Sequence, residues 1–250
     1  MTIMYLFFFL LLGLILGSFY NVVGLRIPKN KSIIFPRSSC SNCQHTLTII
    51  ELVPIFSYIL LRGKCRICKI RISPIYMIIE FFTGILFAFS YYQLGFSTEL
   101  FVALLFISLL MIITVSDIAY MLIPNKILLF FLPLLILGRI LSPLTLWWDS
   151  LLGAVMGFGL LLLIAAVSKG GIGGGDIKLF FLIGLVLGTL STLLTLFLAA
   201  MIGMLLAIIQ LNLYKKDRKT PIPFGPSIAL ASIIIYFYGK QIMAWYMQLL

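Results

Sequence analysis

Two aspartates, Asp117 and Asp176, are the residues of this sequence that most directly suggest chemistry. Each lies at the edge of a long apolar stretch, and an acid beside a membrane segment is costly unless something uses it. Asp176 follows a glycine-rich run that ends in Gly173-Gly174-Gly175. Because each glycine costs about 1 kcal/mol relative to alanine inside a helix, this run predicts a bend or an unwound opening turn.

Two carboxyl groups that lie close together cannot both ionise, so they share a proton. One then activates a water molecule while the other protonates the carbonyl oxygen or the leaving amine, as in aspartic proteases. The simpler alternative is structural. Asp176, directly before Ile177, suits a helix N-cap, and Asp117 could face lipid headgroups. The sequence alone leaves both interpretations open.

The four cysteines form two C-x2-C pairs, Cys40 with Cys43 and Cys65 with Cys68, separated by 21 residues. This spacing allows four thiolates to surround one tetrahedral Zn²⁺ in a closed, structural site. A redox-active pair or free thiols are the alternative. His45 is not needed to complete such a site, and we expect it to be a solvated loop residue.

The composition places these residues in a membrane protein. Of the 250 residues, 62% are hydrophobic and 10% are charged, whereas about 25% of residues are charged in soluble domains. The mean hydropathy is +1.20. A net charge of +11 would suggest a nucleic-acid partner in a soluble protein. Here we predict none, because membrane topology and contact with anionic lipid explain the charge.

Eight apolar segments are long enough to cross a bilayer at about 20 residues per helix. The sequence therefore predicts an all-α, polytopic membrane protein with about eight transmembrane helices and one zinc-stabilised cytoplasmic loop. The first segment lacks a basic n-region and a small-residue cleavage site, so we interpret it as a retained helix. A tight hairpin near Gly188-Thr189 is expected to separate the sixth and seventh segments. The segments are 3–25, 74–94, 99–116, 125–144, 149–168, 177–193, 195–213 and 227–248.

The basic residues predict the orientation. Sixteen of the 18 Lys and Arg residues lie in the segments 26–73, 117–126, 169–178 and 214–226. The positive-inside rule assigns these segments to the cytoplasm and the N-terminus to the outside. Asp117 and Asp176 are then expected at the same, cytoplasmic face. The cysteines also lie on this reducing side, where disulfides are rare.

Several motifs occur in an order that resembles a known family. Gly173-Gly174-Gly175-Asp176, together with Asp117 ahead of Ile123-Pro124, is similar to the paired motifs of GxGD-type intramembrane aspartic proteases. The closer resemblance is to the type IV prepilin leader peptidases, particularly the Gram-positive competence-type members. Further motifs extend it over nearly the whole chain: Gly17-Ser18-Phe19-Tyr20-Asn21-Val22, Pro54-Ile55-Phe56-Ser57-Tyr58, Arg62-Gly63-Lys64-Cys65-Arg66, Ile72-Ser73-Pro74 with Tyr76 and Glu80, and Pro221-Ile222-Pro223-Phe224-Gly225-Pro226.

The resemblance implies an enzyme of the bacterial plasma membrane. Its substrates would be prepilin or pseudopilin precursors, from which it cleaves the basic leader at the cytoplasmic face. Many members then methylate the new N-terminus with S-adenosylmethionine. Asp117 and Asp176 would be catalytic, and Gly173, Gly174 and Gly175 would form a hinge.

The resemblance also implies three parts and a second site. These parts are a first transmembrane helix, 1–25, a methylation-associated loop that holds the four cysteines, 26–73, and a membrane peptidase core, 74–250. Glu80, Asn21 and Arg26 are the candidates for the methylation site. The alternative is that Glu80 pairs with a loop arginine and that Asn21 or Arg26 anchors the interface.

Two other classes of function compete with this interpretation. A transporter or channel could use Asp117 and Asp176 as a proton or cation relay at a broken helix. It would place its site near the bilayer midplane and often has related halves, whereas here both acids are predicted at one face and the halves are not alike. A zinc-bearing scaffold without chemistry would leave both aspartates with no role beyond capping.

Overall fold

The computed structural model describes residues 2–40, 42–48, 50–168, 171, 173–214 and 223–249. The described part does not include residues 169, 170 and 172 of the glycine-rich stretch, the basic run 215–219, or residues 221 and 222 of the last motif. The described part contains α-helices, two short 3-10 helices and two isolated β-bridges, but no strand. The helices are α1 (Thr2–Arg26), α2 (Phe56–Leu60), α3 (Ile75–Leu94), α4 (Thr98–Tyr120), α5 (Asn125–Leu141), α6 (Asp149–Val167), α7 (Gly174–Leu187), α8 (Thr189–Tyr214) and α9 (Gly225–Leu249).

The predicted all-α membrane fold is confirmed. Each predicted apolar segment overlaps a helix, although the segment 177–193 runs past the end of α7 into α8. The short helix α2 in the cysteine loop is additional. Within the described ranges, six helices are long and apolar enough to cross a membrane. The other two, α5 and α7, have 17 and 14 residues. At 1.5 Å per residue, α7 is about 21 Å long, which is shorter than the hydrocarbon core of a bilayer.

A glycine produces the tight hairpin between α7 and α8. Gly188 has a φ of +81°, in the left-handed region that favours glycine because a Cβ is strained there. Its N–H closes α7 on the carbonyl of Gly184 at 2.9 Å. The helix boundary therefore lies where the sequence predicted it.

The contacts divide the chain into two compact units, Met1–Val115 and Ser116–Leu250. In the first unit, α1 and α3 approach through small residues, as membrane helices often do. A Cβ added to Gly13 would lie 2.6 Å from the carbonyl oxygen of Thr83, and one added to Gly17 would lie 2.8 Å from the Cα of Glu80. The three-part division at residues 25 and 73 remains a prediction.

Helix α7 is the core of the second unit. Nine of its 14 residues are buried. A Cβ added to Gly157 of α6 would lie 2.7 Å from the carbonyl oxygen of Phe180, so α6 and α7 pack backbone to backbone. This packing fixes the position of α7, whose first turn carries Asp176.

Candidate active site and metal centre

Asp117 lies in the last turn of α4 and is only 6% exposed. Its Oδ2 accepts a hydrogen bond of 2.6 Å from the backbone N–H of Gly225, the first residue of α9. A Cβ added to Gly225 would lie 2.8 Å from the same oxygen. Only glycine therefore allows the start of α9 to lie against this carboxylate. The burial of Asp117 does not fit the alternative in which it faces lipid headgroups.

Asp176 is the third residue of α7, and the N-cap is Gly173. The predicted apolar segment began at residue 177, whereas α7 begins three residues earlier, at Gly174. Asp176 therefore lies inside the helix and does not occupy the N-cap position. The backbone N–H of Gly173 instead donates to its carboxylate. This contact is half of a capping box, in which the carboxylate at position N3, here Asp176, accepts a hydrogen bond from the backbone N–H of the N-cap residue. Asp176 thus supports the start of the helix while its carboxylate stays available for a second role.

The two carboxylates lie at the same end of the second unit, and the charge of Asp117 acts on Asp176. Two ionised carboxylates at this range repel each other, and sharing one proton removes the repulsion. The structure thus brings together the two acids that the sequence singled out.

The glycines before Asp176 differ in their surroundings. Gly173 is extended, as the prediction of a bend or an unwound turn requires. Gly174 and Gly175 are instead helical and form the first turn of α7, so the prediction was wrong for these two residues. A Cβ added to Gly175 would lie 2.7 Å from the Cβ of Ile123, whereas one added to Gly174 would meet nothing within 4 Å. The packing therefore requires glycine at position 175 and not at position 174.

Two contacts of this region were not foreseen. Lys178 Nζ donates to Asn125 Oδ1 at 3.0 Å and so links the first turns of α7 and α5. The bond between Gly225 and Asp117 joins residues 108 positions apart. The motif that ends in Phe224-Gly225-Pro226 was the only sign of that contact in the sequence.

The two cysteine pairs have the same local structure. The N–H of Cys40 donates to the carbonyl of His45, and that of Gln44 donates back to the carbonyl of Cys40. Cys65 makes the equivalent pair of bonds with Ile70 and Lys69. The residues that close the two turns, Gln44 and Lys69, both have a positive φ, of 56° and 57°. Each C-x2-C segment is therefore a tight knuckle that turns both of its thiols to one side.

The four thiols form one cluster. All four sulfur atoms lie within 4.8 Å of one another. Cys40 and Cys68 are 3.7 Å apart, and Cys43 and Cys65 are 3.8 Å apart. A tetrahedral ion with Zn–S bonds of about 2.3 Å requires sulfur separations of about 3.8 Å. The cysteines are free rather than disulfide-bonded, so the set fits a four-coordinate metal ion.

The surroundings of the thiols favour a cation. The backbone N–H of Ile70 lowers the pKa of Cys68 to about 6. The N–H of His45 also acts to lower the pKa of Cys43, but burial and the three neighbouring thiols raise that pKa to about 11. Four thiolates this close together repel one another, and a divalent cation would offset the repulsion.

His45 is not a solvated residue, in contrast to the expectation from the sequence. Its Nε2 lies 3.2 Å from Glu51 Oε2, and its side chain is 23% exposed. Glu51 is held in place by the backbone N–H and the hydroxyl of Thr48, both at 2.8 Å. Glu51 therefore caps the turn at Thr48 and also contacts the imidazole of His45. The sequence did not indicate this contact.

The three methylation candidates line one cavity of about 330 Å³ in the first unit. Glu80 Oε2 accepts the backbone N–H of Ile55 at 2.9 Å, and no arginine pairs with it in the part of the chain that the structure describes. Asn21 Nδ2 donates to the carbonyl of Tyr76 at 3.1 Å. Arg26 Nη1 donates to the carbonyls of Ser32 and Ile33. The cavity gathers residues that are far apart in the sequence.

The fold and these sites define a polytopic, all-α membrane protein with two aspartates at helix ends and a four-thiol cluster. Residues 11–94 match the bacterial peptidase A24 N-terminal domain, and residues 104–208 match the type IV leader peptidase family. The chain belongs to the type IV leader peptidase family.

Curated relatives share this assignment over most of their length. A prepilin leader peptidase/N-methyltransferase of Bacillus subtilis is 47% identical over 95% of this chain and 96% of that protein. Proteins with the same name from Stutzerimonas stutzeri and Pseudomonas aeruginosa are each 32% identical, over 96% of this chain and 92% of theirs. No solved structure matches this chain significantly.

Proposed function

We propose that this protein cleaves the basic leader from prepilins or pseudopilins and methylates the new N-terminus with S-adenosylmethionine. Both activities are in the names of relatives that align over nearly the whole chain. The observation that carries the proposal is the placement of the two acids. Gly225 holds Asp117 at the end of α4, and Asp176 lies in the first turn of α7, which packs through Gly175 on Ile123, six residues after Asp117. A transporter with an acidic relay has no comparable support, since the family is that of a peptidase.

The carboxylate pair provides general acid and base chemistry. With one proton shared, the ionised carboxylate takes a proton from water while the other donates its proton to the scissile carbonyl oxygen. The water oxygen bonds to the carbonyl carbon, and a proton then moves to the leaving nitrogen as the C–N bond breaks. Gly225 and Gly173 hold the two carboxylates through their backbone N–H groups.

The proposed orientation places this chemistry at the cytoplasmic face. A basic leader remains in the cytoplasm while the apolar helix that follows it enters the bilayer, so the scissile bond lies at the interface. The positive-inside rule supports the same side for Asp117 and Asp176. An impermeant thiol reagent applied to whole cells should label a cysteine introduced at Trp147 and leave the four native cysteines unlabelled. Labelling of the native cysteines alone would reverse the orientation.

Cleavage by the carboxylate pair is tested in membranes with a pilin-type precursor. Asp117→Asn and Asp176→Asn should each lower the cleavage rate by at least about 10³-fold, because neither amide can exchange the proton. Glu99→Gln is the matched control, since it removes an acid in the other unit. Leader loss is followed by mass spectrometry. Full cleavage by either asparagine variant would rule out the pair, as would aspartate-dependent ion flux without cleavage by the wild type.

We also propose that the four cysteines hold a structural Zn²⁺. The sulfur separations of 3.7 and 3.8 Å support this ion, and four sulfur ligands leave no position for a catalytic water. Metal analysis of the purified protein should give about one zinc per chain, and Cys40→Ser with Cys65→Ser should abolish it. An unchanged zinc content in that double variant would show that the metal binds elsewhere.

A further inference from the structure

A groove between α5, α6 and α7 in the second unit encloses about 400 Å³, a size typical of ligand sites. On α5 its lining residues lie at Asn125 and at three, four and seven positions beyond it. On α7 they lie at Lys178 and at three and four positions beyond it. Because residues three and four apart share one face of a helix, the groove runs along the facing sides of α5 and α7.

The groove has a polar mouth and apolar walls. Lys178 and Asn125 lie at the mouth, near the starts of their helices. The other lining residues are leucines and phenylalanines. Leu129 is 67% exposed, and the rings of Phe158 and Phe181 meet edge to face at 6.4 Å.

The length of the groove fits one leaflet of a bilayer. The seven residues from Asn125 to Leu132 rise about 10 Å, against a hydrocarbon core of about 30 Å. Water does not fill an apolar cleft at this depth, and an empty cleft loses its dispersion contacts. The walls therefore call for an apolar chain.

Lys178 gives the mouth a positive charge. Its Nζ donates to Asn125 Oδ1 at 3.0 Å, so the ammonium lies between the starts of α5 and α7. An ammonium has three donors and no acceptor, and Asn125 accepts one of them. No carboxylate pairs with Lys178 in the part of the chain that the structure describes. An anion is the complementary partner for this end of the groove.

The precursor helix is the other apolar chain that could enter such a groove. Its basic leader and, after cleavage, its N-terminal ammonium lie at the cytoplasmic end, where Lys178 would repel them. A phospholipid instead carries a negative phosphate at that level and acyl chains below it. The positive-inside rule assigns the mouth to the cytoplasmic leaflet, whose surface is negative because of anionic lipids.

We propose that this groove binds one anionic phospholipid, with the phosphate on the Lys178 ammonium and an acyl chain against the leucine and phenylalanine walls. Asn125 is a positioning residue that holds the ammonium at the mouth. Basic pockets between transmembrane helices on the cytoplasmic side bind lipid headgroups in this way.

The test is lipid binding to the purified full-length chain in detergent, measured by native mass spectrometry. The probes are phosphatidylglycerol and phosphatidylcholine with identical acyl chains. The wild type should bind one phosphatidylglycerol at least about fivefold more tightly than phosphatidylcholine, because one lysine near an anionic headgroup has an effect of this size. Lys178→Gln keeps a donor for Asn125 but loses the charge, so the preference should disappear. Lys31→Gln removes a charge from the predicted cytoplasmic side of the other unit and should keep the preference.

A second variant tests the walls of the groove. Leu132→Trp fills the space for the acyl chain and should weaken the binding of both lipids. Thermal unfolding reports on folding, and Leu132→Trp decides the result if Lys178→Gln is unfolded. An unchanged preference in folded Lys178→Gln, or an equal loss in Lys31→Gln, would overturn the site. Displacement of the bound lipid by one equivalent of a pilin-type precursor would assign the groove to the substrate, which would overturn the lipid site and leave the proposed cleavage intact.

Discussion

Gly175 and Gly225 serve the candidate active site by allowing close approach. Gly175 lies against Ile123, and Gly225 lies against the Asp117 carboxylate, at separations that leave no room for a Cβ. Gly174 belongs to the same glycine run but meets no neighbouring atom within 4 Å of an added Cβ. Packing therefore requires glycine at position 175 of the run but not at position 174.

This contrast gives a matched pair of substitutions. Gly175→Ala should displace Ile123 or the first turn of α7 and lower the cleavage rate by about 10²-fold, because a shift of about 1 Å in a catalytic group has an effect of this size. Gly174→Ala should retain most of the activity and stabilise the helix start by up to about 1 kcal/mol. Cleavage rates of both variants in membranes provide the measurement. Equal losses would indicate that backbone flexibility, as the hinge prediction holds, matters more than packing.

At the residue level, the sequence singled out candidate side chains but not their contacts. Asp117, Asp176 and the cysteines could be recognised from residue type and spacing. The contact between Gly225 and Asp117 could not, because it joins residues 108 positions apart and a glycine carries no chemical signal. The pairing of His45 with Glu51 was missed for a similar reason, since it depends on the turn at Thr48.

Among the helices, α7 is held firmly at the end opposite Asp176. Arg139 Nη2 donates to the carbonyl of Val186 at 2.6 Å, which satisfies one of the last carbonyls of α7. Asp149 Oδ1 accepts the N–H of Thr189, the first residue of α8, at 3.1 Å. The turn at Gly188 thus has a side-chain partner on each side. These contacts set the register of α7 and thereby the position of its first turn.

The contribution of Asp149 can be measured by thermal unfolding in detergent. Asp149→Ala leaves the N–H of Thr189 without its acceptor and should destabilise the second unit by about 1 kcal/mol, as the loss of a helix cap does. Asp149→Asn keeps an acceptor oxygen and should recover most of the stability. If the alanine and asparagine variants unfold alike, the negative charge and not the hydrogen bond is what matters.

Helix positions followed from hydropathy because a bilayer demands long apolar segments. Hydropathy predicted the first residue of each helix less accurately. The predicted segment began at 177, yet α7 begins at Gly174, because the glycines adopt helical backbone once packing at Ile123 stabilises them. The length of α7 was also overestimated, since Gly188 ends it after 14 residues.

On the scale of the whole molecule, the two proposed activities belong to different compact units. The carboxylate pair lies in Ser116–Leu250, and the cysteine cluster and the cavity lie in Met1–Val115. Cys65 belongs to both the cluster and the cavity wall. Of the described residues between 26 and 73, only Gly63 and Cys65 are buried. This loop has almost no hydrophobic core of its own.

A loop without a core would depend on the proposed ion for structure, because binding of an ion supplies free energy of folding. We therefore expect removal of the metal by a chelator to weaken S-adenosylmethionine binding by at least about tenfold. Leader cleavage should persist, since its carboxylates are held by α4, α7 and α9. Binding and cleavage are measured on the same chelated sample, and added Zn²⁺ should restore binding. Unchanged binding after metal removal would mean that the cavity wall forms without the cluster. Loss of cleavage together with binding would mean that the metal stabilises both units, and the two activities would then share one folding equilibrium.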